Sequence, residues 1–106
     1  MPKFLVEATY TAEGLRGLIK EGAASRKAAV TQAVKKLGGK AEGIYWCLGD
    51  KDAVMVVDMP DAASAAAVSL AVSASGLVRA KTTVLLTAEE TDEVLAKQVT
   101  YRAPGA

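Results

Sequence analysis

The apolar residues of this chain alternate between two spacings, and the order of those spacings restricts the fold. Residues 3–10 show a period of two, with Phe4 and Val6 on one side, which is typical of a strand. Residues 23–37 show the period of an amphipathic helix. Extended along the chain, this pattern predicts strands over residues 3–10, 41–48, 52–59 and 77–86, and helices over residues 14–19, 23–37, 61–75 and 88–98.

Residues at the element ends support this order. The glycines at 38–39 are typical of a helix stop, and residues 49–51 form a tight turn that predicts a β-hairpin. Asp61 is placed to cap the following helix, and Thr87 with Glu90 forms a capping box. We therefore predict an α+β, ferredoxin-like βαββαβ fold with a four-stranded antiparallel sheet, the two main helices on one face and an extra C-terminal helix.

The length of 106 residues predicts a single domain over residues 1–98, followed by an irregular tail over residues 99–106. A chain of this size buries roughly 60–70% of the surface that its unfolded form exposes. That burial suffices for one core but leaves little room for a large internal cavity. We therefore expect any sizeable pocket to need a second subunit.

The sheet face opposite the helices has a mixed character. Apolar and charged residues share the parity that points away from the helices: Leu5, Glu7, Thr9, Asp52, Val54, Val56, Asp58, Arg79, Lys81, Thr83 and Leu85. Such a face is too apolar for a soluble monomer and too charged for an ordinary core. We expect it to be covered by the same face of a second copy, which gives a homodimer.

The residue types exclude several chemistries. The chain has no histidine and one cysteine, Cys47, so zinc sites of the usual kinds, haem ligation and Ser–His or Cys–His catalysis lack their groups. We expect no metal and no cofactor. The net charge of +1 and the lack of a basic stripe argue against nucleic-acid binding. With one cysteine, no signal segment and no long apolar stretch, we expect a cytoplasmic protein without membrane attachment.

An ordered set of motifs resembles the GYD domain family over about residues 3–98. The motifs are Tyr10-Thr11-x-x-Gly14, Arg26, Gly38-Gly39-Lys40, Tyr45-Trp46-x-x-Gly49-x-x-Asp52, Pro60-Asp61 and Gly76-x-x-Arg79-x-x-Thr82. The chain departs from the Gly-x-Tyr-Asp signature of the family, because Lys51 replaces the tyrosine. The resemblance implies a dimeric α/β barrel of ferredoxin-like subunits. It implies no particular activity, since this fold serves many functions.

Five residues are candidates for a ligand-binding site, and each has a structural alternative. Tyr45 and Trp46 are neighbours on one strand, so one faces the helices and the other faces away. Either ring packs in the protein or stacks on a planar ligand. Tyr10 is an edge residue of the core or a phenol at the mouth of a cleft. Asp52 caps its hairpin or acts as an acid at a pocket edge, and Arg79 pairs with an acid or anchors an anion.

Two further residues are weaker candidates. Arg26 is expected to pair with Glu21 or with an acid at a strand end, and a ligand contact is the minority interpretation. Cys47 is interpreted as structural. Three functions remain open: a dimeric small-molecule-binding module, a cofactor-independent enzyme of the small monooxygenase or isomerase kind using Asp52, Tyr45 or Tyr10, and a structural or assembly partner of another protein.

Overall fold

A computed structural model describes residues 1–47 and 49–106, which form four strands and four helices. In chain order these are β1 (Lys3–Tyr10), α1 (Ala12–Glu21), α2 (Ala23–Lys36), β2 (Lys40–Trp46), β3 (Ala53–Asp58), α3 (Ala62–Ala74), β4 (Val78–Leu85) and α4 (Ala88–Ala96). The strands form one antiparallel sheet in the order β2-β3-β1-β4. This order confirms the ferredoxin-like α+β fold and the central position of the first strand.

The helix boundaries follow from caps. The first helix is longer than the predicted residues 14–19, because the Thr11 side chain accepts the Gly14 amide at its start and Gly22, with φ of 87°, ends it. Asp61 caps α3 through the Ser64 amide, as predicted. The predicted capping box of Thr87 is also formed, and α4 ends at Ala96. No helix in the described part of the chain has the length and hydropathy to cross a bilayer.

The observed strand ends lie within two residues of the predicted ones. The predicted second strand extended to Leu48, which lies outside the described residues. In β2 the register against β3 shifts between Ala41 and Gly43. Because of this irregularity, Ala41 and Ile44 both pack against the core on the helix side, and Tyr45 points to the other face.

The core lies between the sheet and the pair α2 and α3. Its most buried members are Phe4, Val57, Met59 and Val34, of which Met59 and Val34 have no exposed surface. The core helices α2 and α3 leave the opposite face of the sheet open, and Tyr45 on that face is 69% exposed. The fold thus places one covered and one open face on the same sheet.

Candidate functional site

A cleft opens at one end of the layer between the sheet and the helices. It encloses about 320 Å³. The described residues that line it come from β1, β2, β3 and β4 below and from α2 and α3 above. The expectation that a sizeable pocket needs a second subunit is therefore wrong: a single chain forms this cleft.

A row of small side chains accounts for the cleft. In the register of the sheet, Trp46 pairs with Ala53, Ala53 with Ala8, and Ala8 with Ala80. All four residues line the cleft. Three adjacent alanines leave the floor with little side-chain volume, and a space remains above them because larger side chains, such as Phe4 and Met55, set the distance between sheet and helices.

The next rows of the sheet fill the same layer. Val6 pairs with Met55 in the second row, and Phe4 pairs with Val57 in the third. Met55, Phe4 and Val57 are buried. Buried side chains therefore occupy the layer around Phe4, which we call the filled end, whereas the layer around Ala8, which we call the hollow end, contains the cleft.

Two aromatic residues lie at the hollow end. The indole Nε1–H of Trp46 donates to the hydroxyl of Tyr10 across 3.3 Å, and both side chains line the cleft. Adjacent residues of a strand face opposite sides, so Trp46 lies on the helix side and Tyr45 on the open side, as the alternation predicts. The Tyr45 ring lies over Gly43, where a Cβ atom would approach its Cε2 to 2.9 Å.

Asp52 supports the hollow end through the backbone. Its Oδ2 accepts the Tyr10 amide at 2.8 Å, and its own amide donates to the Ala8 carbonyl at 2.9 Å. The carboxylate therefore holds β1 against the start of β3. The structural alternative given in the sequence analysis, a carboxylate that caps its own hairpin, is therefore wrong. Asp52 is not among the lining residues of the cleft.

Arg79 lies apart from this group. It pairs with Thr9 in the register of β1 and β4 and is exposed. Its expected ion pairs with Glu7 or Asp58 do not form among the described residues of one chain. The structure thus brings Tyr10, Trp46 and Asp52 together and leaves Tyr45 and Arg79 on the open face.

Basic residues lie at the α2 side of the cleft. Arg26 and Lys27 both line it, next to Val30. The Nη1 atom of Arg26 lies 3.5 Å from the Glu21 carboxylate, which confirms the expected pair. Lys27 was missed by the sequence analysis, although its position next to Arg26 near the start of a helix could have indicated it.

Cys47 donates its thiol to the Lys51 carbonyl at 3.1 Å, which fits a structural role.

The groups with shifted pKa values lie elsewhere. The Lys3 ammonium donates to Asp58 and holds the pKa of that carboxyl below its ordinary value. Asp61 and Glu90 also have lowered pKa values, because helix-start amides donate to them. In the part of the chain that the structure describes, no three His, Cys, Asp or Glu side chains gather as metal ligands.

The fold and the cleft define a small ferredoxin-like protein with an apolar cavity beneath its helices. The sequence matches the GYD domain over residues 4–95 of the 106-residue chain. The chain therefore belongs to the GYD domain family, which confirms the resemblance seen in its motifs. Comparison with curated proteins and with solved structures finds no match.

Proposed function

We propose that this GYD-domain protein is a small-molecule-binding module whose ligand occupies the cleft. The observation that supports this function is a mostly apolar cavity of about 320 Å³ with a hydrogen-bonding aromatic pair, Tyr10 and Trp46, at one end. Ligand sites in proteins have this character: apolar walls, a few polar groups and volumes of about 300–1,000 Å³. The cavity costs packing energy that a core of this size would otherwise gain.

The volume sets the size of the ligand. A liquid water molecule occupies about 30 Å³, so the cleft holds a molecule of roughly ten heavy atoms. At about 0.5 kcal/mol per heavy atom, such a ligand binds with about 5 kcal/mol, a Kd of roughly 0.2 mM. The apolar body would lie on the alanine row, and a polar end would reach one of the polar side chains of the lining.

An enzyme of the monooxygenase or isomerase kind has less support. Among the described residues, no carboxylate lines the cleft. Asp52 is engaged by the Tyr10 amide, and Tyr45 lies on the other face of the sheet. Of the three acid–base candidates only Tyr10 reaches the cavity, and a phenol alone is a weak basis for proton transfer at neutral pH.

The test uses Trp46, the only tryptophan of the chain, as its reporter. Wild-type protein is titrated with four eight-carbon compounds of different head group: octanol, octanamide, octylamine and octanoate. We expect at least one of them to change the Trp46 fluorescence with half-saturation below millimolar concentration. No response to any of the four would contradict the proposed function.

A matched pair of variants locates the binding. Ala8→Leu adds volume to the middle of the cleft floor and is expected to abolish the response. Ala28→Leu places the same side chain at an exposed position of α2 that does not line the cleft, so it should bind as wild type does. Equal binding by both variants would show that the ligand lies elsewhere.

We further propose that two copies associate through the open face of the sheet. Leu5, Val54 and Val56 are only partly buried there, and Tyr45 is exposed. In the register Glu7 lies between Val54 and Lys81, so the face carries both charge signs beside its aliphatic residues. A two-fold axis lets the Glu7 of one copy approach a basic residue of the other.

A dimer of this kind should bury more than roughly 1,000 Å² in total. Sedimentation at micromolar concentration should give a dimer for the wild type. Val56→Lys should give a monomer, because it places an unpaired charge in the interface. Ala28→Lys, which adds the same charge outside the interface, should remain dimeric. A monomeric wild type would overturn this assignment.

A further inference from the structure

The cleft is apolar throughout its floor, yet its α2 side carries two cations. Arg26 and Lys27 line the cavity, and no described acidic residue does. Two carboxylates adjoin this lining. Glu21 lies 3.5 Å from Arg26, and Asp52 accepts the Tyr10 amide. The lining itself therefore carries two positive charges and no negative one, and of the two adjoining carboxylates only Glu21 pairs with a lining cation.

Both cations keep exposed surface beside the cleft, so an anion bound there can pair with them. They are the fourth and fifth residues of α2, and the first turn of this helix contains no acidic residue that could pair with them. Glu21 compensates only Arg26, and does so at 3.5 Å between two partly exposed side chains. Lys27 forms no ion pair among the described residues.

We propose that the ligand of the cleft is a small amphiphilic monoanion of about ten heavy atoms in total, with an apolar body and one acidic group held by Arg26 and Lys27. This inference rests on the proposed binding function and specifies its ligand class. The apolar body lies over Ala8 and Ala53, and the acidic group meets the planar guanidinium, which matches a carboxylate in two parallel hydrogen bonds. Burial of the body and pairing of the charge occur in one cavity.

The decisive comparison is between octanoate and octanamide. The two compounds have the same shape and number of heavy atoms and differ in charge. We expect octanoate to bind about tenfold more tightly by Trp46 fluorescence, and octylamine to bind more weakly than either. Raising the salt concentration from about 0.05 M to about 0.5 M should lower the affinity for octanoate and leave the affinity for octanamide unchanged.

Variants of α2 assign the charge to its residues. Arg26→Gln and Lys27→Gln should each lower the affinity for octanoate several-fold, and the double variant should bind octanoate no more tightly than octanamide. Lys36→Gln removes the same charge at the far end of α2 and serves as the control. Glu21→Gln removes the competing carboxylate of Arg26, so it should strengthen octanoate binding about twofold. Octanamide binding should be equal in all of these variants.

Each outcome is decisive. Equal affinity for octanoate and octanamide would overturn the monoanion inference and leave the binding function standing. No binding of any of the compounds would remove both. A preference for octanoate that survives the double variant would place the anion away from Arg26 and Lys27, and would also overturn the inference.

Discussion

The filled end and the hollow end of the interior are built from the same elements but differ in side-chain volume. At the filled end Phe4 pairs with Val57 below Val34, and all three residues are at most 5% exposed. At the hollow end Ala8 pairs with Ala53, one of three alanines in one row. Helices α2 and α3 pass over both ends, with Val34 and Val68 above one and Val30 and Val72 above the other.

This difference separates the region that stabilises the fold from the region proposed to bind a ligand. Close packing at the filled end supplies dispersion contacts and hydrophobic burial. The row of alanines at the hollow end gives up such contacts, and the chain keeps a cavity in their place. A protein of this size has little stability to spare, so a retained cavity of this kind points to a function.

The largest expected effect comes from emptying the filled end. Phe4→Ala should lower the free energy of unfolding by about 3–5 kcal/mol, because it leaves a cavity in close-packed surroundings. Val30→Ala, which enlarges a space that is already open, should lower it by about 1 kcal/mol. Urea denaturation at neutral pH measures both. Equal losses would show that the two ends are packed alike.

The same substitution at the two ends should have opposite signs. Ala65→Leu forces a larger side chain into the filled end, where Ala65 is 5% exposed, and should cost about 1–3 kcal/mol. Ala8→Leu fills the hollow end and should raise the free energy of unfolding by about 0.5–1 kcal/mol. Thermal unfolding followed by circular dichroism compares the two. A strongly destabilised Ala8→Leu variant would mean that the cleft has no room for the added atoms.

The sequence predicted the elements better than the cavity. Local signals set the element order, the caps at Asp61 and Thr87, and the opposite facing of Tyr45 and Trp46, and all of these are present. The alanine row depends instead on the register of strands that are distant in the chain. No local sequence pattern indicates that Ala8 pairs with both Ala53 and Ala80. The only available argument was the total surface burial expected for 106 residues, and it argued against a cavity.

Some placements of the candidate residues could be predicted from local strand parity, whereas others depend on contacts between distant segments. Strand parity assigned Arg79 to the open face, where it lies. The contact of Trp46 with Tyr10 joins two strands that are not adjacent in the sheet, and it could not be predicted from either segment alone. Arg26 became a cleft residue only once the position of α2 over the alanine row was known.

The smallest expected effect is a pH dependence at the filled end. Lys3, the register partner of Asp58, lowers the pKa of that carboxyl from its ordinary 3.8 and also binds Glu42. Since the folded pKa lies below the unfolded one, the pair stabilises the protein above the unfolded pKa, and this contribution is lost as the pH falls through the folded pKa. The urea midpoint of wild type should therefore fall more between pH 7 and pH 3 than that of Lys3→Met. Ala8→Leu, altered only at the hollow end, should show the wild-type pH dependence. An equal acid loss in wild type and Lys3→Met would contradict a role for this pair.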